Sequence, residues 1–259
     1  MADLVFDSGR VVNDLLVNFQ RVKNSGVMGI DKRIRFLVES GFKRTNFTYF
    51  GAYLLLKADK PRNVADRARD IYMALRKQHP FLTGAEDVTS AVLMAQLETS
   101  LSVEQLTEIN EYYFTEFNRA GFRRNDSLQF LAATSTLIYM ERDANYVKKV
   151  VHLAEELERA DVKIRPIHYV TLGILAYVRE STDLDAVFFD LLEAMREDSG
   201  LRWNREFYTA MALSLYTEDQ ARNMTKEQVE SLMVSVHVLI AIERAAAASA
   251  AAASSGGGS

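Results

Sequence analysis

The chain has 259 residues, of which 48% are hydrophobic and 25% are charged, and its formal net charge is −4. These values are close to the averages of globular proteins and exclude a chain that is disordered throughout. With no cysteine, 3 prolines and 12 glycines, the sequence excludes disulfide scaffolds, thiolate metal sites and cysteine nucleophiles, and it argues against a turn-rich β-sandwich.

The first residues, 1–7, include Asp3 and Asp7 where a secretory signal would carry positive charge. No stretch of 18 residues is apolar without interruption by charges. We therefore expect a cytoplasmic protein that does not enter a membrane. The negative net charge disfavours nucleic acid as a partner.

Helical patterns begin at residues 10–22 and at the short amphipathic segment 30–39, and we expect both to cap the N-terminal end. Five apolar stretches follow, each with a small residue inside it, and these residues are 39 or 41 positions apart. The stretches are residues 49–56, 88–97, 128–140, 169–178 and 207–216, with Ala52, Ala91, Ala132, Gly173 and Ala212 as their small residues. A small residue at this position would let the neighbouring helix approach closely.

In the repeating unit, each apolar stretch is followed by a second helical segment that is more charged. Residues 147–160 place Leu153 and Leu157 on one face, and residues 185–196 place Val187 there. Glycines such as Gly41 and Gly121 lie after these charged segments and suit a left-handed C-terminal cap.

N-terminal helix caps can also be predicted for some of the apolar helices. Asp87 and Asp126 are expected to cap the helices that they precede.

The repeating unit is therefore helix, short loop, helix in about 40 residues, and it occurs five times. Since no strand pattern with period two is present, we predict an all-α protein. Five antiparallel pairs favour an α-solenoid, curved to the right or the left, of the general tetratricopeptide or HEAT class, although the signatures of those named repeats are absent. We predict one helical-repeat domain over residues 1–244, closed by a helix at residues 225–247. An Ala/Ser/Gly-rich tail over residues 245–259 is expected to be disordered from residue 254.

Two short motifs resemble a known family. Residues 81–87 (Phe-Leu-Thr-Gly-Ala-Glu-Asp) with Ala91 are similar to one block of the bacterial domain-of-unknown-function family 4003, and Gly121-Phe122 with residues 128–131 is similar to another. Val88 and Thr89 stand where family members carry tyrosine and proline. The resemblance covers roughly residues 10–255 and implies a bacterial, cytoplasmic, all-helical protein. It implies no activity, catalytic residue or ligand.

Motifs of established chemistry are absent from the sequence. Of the four histidines, only His152 has carboxylates at helical spacing, Glu155 and Glu156, and neither a di-iron nor a zincin ligand pattern occurs. Glycine-rich phosphate loops and the Gly-x-Ser-x-Gly elbow are absent as well. We therefore expect no catalytic residue, no cofactor and no metal.

Basic residues recur just before every second apolar helix, and in a regular stack they would line one edge. With the neighbouring asparagines, the candidate partner-binding residues are Arg44, Asn46, Arg123, Arg124, Asn125, Arg202 and Asn204. They fit an anionic partner, either an acidic peptide or nucleic acid, of which the net charge disfavours the second. The alternative is ordinary solvated charge inherited by duplication of the repeat. The block at residues 79–83 fits either a tight turn between repeats or a functional site.

Three functions are compatible with this pattern. The favoured one is a non-enzymatic scaffold or adaptor that binds a protein or peptide, because solenoids present extended surfaces. The second is a ligand- or peptide-sensing regulator whose helical stack changes curvature on binding. The third is an enzyme whose active site lies in an enclosed helical cavity, for which a deep pocket with buried polar groups would be the sign.

Overall fold

The computed structural model of the chain describes residues 28–97, 99–198 and 205–221, and every regular element within these ranges is helical. The predicted all-α class is therefore confirmed. The α-helices are α1 (Met28–Glu39), α2 (Asn46–Leu54), α3 (Pro61–Gln78), α4 (Asp87–Ala95), α5 (Val103–Arg119), α6 (Asp126–Tyr139), α7 (Ala144–Arg159), α8 (Tyr169–Val178), α9 (Ala186–Glu197) and α10 (Arg205–Ala221). Short 3-10 helices span Leu55–Lys57 and Pro166–His168. The helices predicted at residues 10–22 and 225–247 and the tail at residues 245–259 lie outside the described residues.

Two kinds of helix alternate along the chain. Odd-numbered helices are amphipathic, as in α3, where the buried residues Ala68, Ile71 and Leu75 share one face. Even-numbered helices are mostly apolar and more deeply buried: every residue of α4 is buried, and so are residues 169–176 in α8. The even-numbered helices therefore form the interior and the odd-numbered helices shield them from water.

Neighbouring helices pack in a regular order. Each odd-numbered helix contacts the even-numbered helix that follows it, from α1 on α2 to α9 on α10. Each even-numbered helix also contacts the next even-numbered one, and α1, α3, α5 and α7 contact one another in sequence. The packed pair is thus a charged helix followed by an apolar one, whereas the sequence repeat predicts the apolar helix first.

Left-handed residues end three of the charged helices. Gly41 follows α1 with φ of 103°, Gly121 follows α5 with φ of 100°, and Asp161 takes the same place after α7 with φ of 60°. The residue after each of them donates its backbone N–H back to the helix and buries its side chain; these residues are Phe42, Phe122 and Val162. The predicted C-terminal caps are therefore present at Gly41 and Gly121.

The predicted N-caps are wrong by one residue. Asp126 is the first residue of α6, and Asn125 caps that helix by accepting the N–H of Leu128 at 3.1 Å. Asp87 is likewise the first residue of α4, and its Oδ2 accepts the N–H of Gly84 at 2.8 Å. Asp87 therefore closes the preceding turn instead of capping the helix.

The core agrees with the predicted apolar faces except in α9. Leu153 and Leu157 are fully buried, as predicted. Val187 is 61% exposed, whereas Phe188 is fully buried with its ring centroid 5.3 Å from that of Tyr216. The larger aromatic side chain occupies the core position and turns Val187 outward.

The small residues of the even-numbered helices lie at close helix contacts. Ala52, Ala91, Ala132 and Ala212 have no exposed surface. At Gly173, an added Cβ would lie 2.5 Å from Leu131 Cδ1 and 2.9 Å from the Tyr146 hydroxyl oxygen. Gly173 therefore lets α6 and α7 approach α8 more closely than any other residue would allow.

We expect Gly173→Ala to lower the free energy of unfolding by about 1–3 kcal/mol, because the methyl group overpacks this contact. Gly51→Ala is the matched control, since its Cβ would meet the flexible end of Leu37 at 3.2 Å and would also favour the helix by up to about 1 kcal/mol. Urea unfolding of both variants measures the difference. Equal stability of the two variants would contradict the close-approach role of Gly173.

Asp87 is a buried ionisable group in the first turn of α4. Burial raises its pKa to about 8, and the negative charges of Glu86 and Asp126 act in the same direction, although the N–H of Gly84 opposes them. The folded chain therefore holds a proton on Asp87 at pH values where the unfolded chain has released it.

Between about pH 4 and pH 8 the unfolded chain binds fewer protons than the folded chain. The free energy of unfolding therefore falls as pH rises through this range. Asp87→Asn keeps an acceptor for Gly84 and removes the titration. We expect the free energy of unfolding of this variant, relative to that of wild type, to increase by roughly 2–4 kcal/mol from pH 4 to pH 8. Urea unfolding at both pH values tests this, with Asp190→Asn on the exposed side of α9 as the control; parallel pH profiles for wild type and Asp87→Asn would refute it.

Candidate functional site

The turn between α3 and α4 presents an aromatic ring to water. Phe81 is 99% exposed, whereas Phe42 and Phe122 in the corresponding turns are 4% and 5% exposed. The turn is ordered by hydrogen bonds, because Leu82 and Thr83 donate their N–H groups to the His79 carbonyl at 3.1 and 2.9 Å. Leu82 packs against the core in place of Phe81. The exposed ring is thus a consequence of how this turn is built.

His79 lies buried beneath the turn and links it to α5 and to the next turn. Its Nε2 is 2.6 Å from Glu111 Oε2, and its Nδ1 is 3.3 Å from Arg124 Nη2. An arginine guanidinium can only donate, so Nδ1 must accept and the ring proton must be on Nε2, facing Glu111. The Phe114 ring packs against the imidazole with a centroid distance of 4.2 Å.

Glu111 supplies the negative charge of this group. Burial acts to raise the pKa of Glu111, but hydrogen bonds from His79 and Thr115 and the positive charge of Arg124 outweigh it and lower that pKa below its ordinary value. Glu111 is therefore ionised at neutral pH and accepts the Nε2–H of His79.

Arg124 is held in place while its guanidinium remains at the surface. Its Cζ lies 5.7 Å from the centroid of Phe114, a cation–π arrangement. The preceding residue, Arg123, is exposed, and its backbone N–H donates to the Tyr169 hydroxyl at 2.9 Å, which ties this turn to the start of α8. We call the surface formed by Phe81, Arg123 and Arg124 the Phe81 edge.

A buried side-chain contact joins the two turns of the Phe81 edge beneath the surface. Gln129 of α6 donates to the Thr83 hydroxyl at 3.2 Å. Together with the contact of Arg124 to His79, this bond fixes the turn before α4 against the start of α6.

The predicted binding residues fall into four groups. Arg123 and Arg124 lie on the Phe81 edge. Arg44 lies in a different turn, before α2, where its Nε donates to the Tyr49 hydroxyl at 3.1 Å, and Asn46 is the first residue of α2. Asn125 serves the fold as the cap of α6. Arg202 and Asn204 lie outside the described residues, so the predicted ladder of basic residues stays a prediction.

Sequence reasoning missed Phe81, His79 and Glu111 as members of one site. The block at residues 79–83 predicts either a tight turn or a functional site. Its phenylalanine resembles Phe42 and Phe122, which are buried, so no sequence pattern distinguishes Phe81 as exposed. Glu111 is 32 positions from His79, and only the packing of α3 against α5 brings them together.

A separate cleft of about 340 Å³ lies between α1 and the start of α3. It is lined by Lys32, Arg33, Phe36, Lys60, Pro61, Arg62 and Asn63. These side chains are exposed or half-buried, so this cleft differs from the deep pocket with buried polar groups that would favour an enzyme. Within the described ranges, no helix is both long and apolar enough to cross a membrane.

Comparison with known proteins agrees with the resemblance seen in the sequence. Residues 11–245 match the model of the family described as protein of unknown function (DUF4003). The chain is also 24% identical over 215 residues, or 81% of its length, to uncharacterized protein YeaA of Bacillus subtilis strain 168. It spans only 63% of the length of that relative. No solved structure matches the chain. Because the family match covers most of its residues, the chain belongs to the DUF4003 family.

Proposed function

We propose that the chain is a non-enzymatic helical-repeat protein that binds a partner protein through the Phe81 edge. The observation that carries this proposal is the 99% exposed ring of Phe81 on an ordered turn beside Arg124. The partner we expect is an acidic segment with an apolar side chain that covers Phe81.

Support for an α-solenoid comes from the packing order of the helices. From α1 to α8, each odd-numbered helix contacts the even-numbered helix that follows it, and each helix contacts the one two positions further along the chain, as stacked helix pairs do. Stacked pairs place equivalent turns along one edge, which gives a partner an extended surface. The α3–α4 and α5–α6 turns are adjacent members of such an edge.

Support for binding comes from the kinds of side chain on this edge. Burying a phenylalanine ring contributes about 1.5–3 kcal/mol, and Phe81 gains none of this within the chain. Arginine and the aromatic residues, phenylalanine included, are enriched at the core of protein interfaces. Phe81 and Arg124 supply one of each.

Arg124 is also arranged in advance of binding. Its contacts with Phe114 and His79 restrict its rotamers in the free chain, so less side-chain entropy is lost when a carboxylate binds. Arg123 adds a second exposed positive charge. Two adjacent arginines favour carboxylates over neutral partners and make the association sensitive to salt.

We expect Phe81→Ala to abolish capture of the partner while leaving the stability of the chain within about 0.5 kcal/mol of wild type, because the ring makes no buried contact. Arg124→Ala should weaken capture at least about tenfold, the effect of a single interface arginine. The matched controls are Val187→Ala, another exposed apolar residue, and Arg142→Ala, another arginine stacked on an aromatic ring.

The measurement is affinity purification of the tagged full chain from its native cells with quantitative mass spectrometry, at low and high salt. A protein retained by wild type and both controls, and lost with Phe81→Ala and Arg124→Ala, supports the proposal. Equal recovery of all partners by wild type and Phe81→Ala refutes it, and so does the absence of any partner at low salt.

A further inference from the structure

Three metal-ligand side chains meet where α7 passes the loop between α8 and α9. His152 and Glu156 are one helical turn apart on α7, and Asp183 lies in the loop. One ligand atom from each lies within 4.8 Å of the other two. We propose that His152, Glu156 and Asp183 bind a Zn²⁺ ion.

The distance between the ligand atoms of His152 and Asp183 is close to that in a zinc site. His152 Nε2 lies 2.9 Å from Asp183 Oδ1, a hydrogen bond in the metal-free chain. Zinc takes imidazole nitrogen and carboxylate oxygen at about 2.0–2.2 Å, so two ligands on a tetrahedral ion stand about 3.3 Å apart. If the His152 and Asp183 side chains move apart by a few tenths of an ångström, the ion can take the place of the proton in their hydrogen bond.

The remaining ligand, Glu156, already faces the loop. One carboxylate oxygen of Glu156, Oε2, accepts the backbone N–H of Leu184 at 2.6 Å. Its second oxygen can coordinate an ion without breaking this bond. Glu156 thus holds the loop and supplies a ligand at the same time.

The loop that carries Asp183 is fixed from the other side as well. The buried Arg179 side chain donates to the Asp183 carbonyl and to Asp185, and the backbone N–H of Asp183 donates to Ser181 at 3.1 Å. Lys149 of α7 bonds to the Arg179 carbonyl. Ligands on a loop that is already ordered lose little entropy when an ion binds.

The donor set selects the class of ion. One imidazole nitrogen with two carboxylates suits zinc, whereas Mg²⁺ and Ca²⁺ prefer oxygen ligands throughout. Two carboxylates balance the charge of the ion, and Asp185 offsets the nearby positive charge of Arg179. His152 is half-buried and Asp183 is exposed, which leaves room for water as a fourth ligand.

The test is calorimetric titration of the full chain with ZnCl₂ after removal of metals by EDTA and dialysis. We expect one saturable site, with at least about a tenfold loss of affinity in Asp183→Asn and in His152→Gln. Asp183→Asn keeps an acceptor for His152, so the loop is retained. Glu155→Gln is the matched control on the same helix and should bind as wild type does.

Thermal unfolding gives a second readout. Saturating Zn²⁺ should raise the unfolding midpoint of wild type and of Glu155→Gln but not of Asp183→Asn, and Mg²⁺ should shift none of them. The absence of saturable binding to wild type overturns the proposal. Unchanged affinity in Asp183→Asn also overturns it, as does loss of the ion in His79→Gln instead, because the zinc would then occupy other side chains.

Discussion

The left-handed turn that ends three of the charged helices, α1, α5 and α7, is the constraint on which the rest of this structure depends. A residue with positive φ lets the chain reverse at once, so the next helix packs back against the one that has just ended. The following side chain is then carried inward: Phe42, Phe122 and Val162 are all buried beneath their turns. Repetition of this turn places the apolar helices side by side and the charged helices outside them.

The α3–α4 connection departs from this pattern, and the candidate site lies there. His79 stands at the end of α3 and accepts two backbone N–H groups through its carbonyl, which makes a longer turn. Leu82 takes the inward position and Phe81 is left in water. The buried imidazole then needs partners on both nitrogens, and Glu111 and Arg124 provide them. One local change in turn geometry thus produces both the exposed ring and the ordered arginine beside it.

Polar groups are concentrated in the interior next to this turn. Asp87 and Gln129 are buried there, and Gln129 Oε1 and Asn110 Oδ1 lack a hydrogen-bond partner among the described residues. Buried polar groups of this kind lower stability. The unpaired groups of Asn110 and Gln129 belong to α5 and α6, which pack against each other. This part of the core is therefore not arranged for maximum stability, as is common beside functional sites.

The sequence predicted what depends on periodicity and failed where the outcome depends on tertiary contacts. Regular spacing of small residues from Ala52 to Ala212 was sufficient to predict the apolar helices, because close helix packing demands such residues. Whether Val187 or Phe188 faces the core depends on the volume available beside Tyr216, which no local pattern contains. The capping role of Asn125 was missed because aspartate and asparagine are nearly equal as N-caps.

The two proposed sites lie toward opposite ends of the helices, and this follows from the turn pattern. Short turns join antiparallel helices, so the connections from odd- to even-numbered helices share one end of the array and those from even- to odd-numbered helices share the other. The Phe81 edge belongs to the first set, and the loop of Asp183 belongs to the second. A zinc ion at His152 would strengthen the contact between α7 and the α8–α9 loop without touching the α3–α4 turn. The proposed partner binding and the proposed zinc binding therefore concern separate parts of the chain, and the failure of one proposal leaves the other intact.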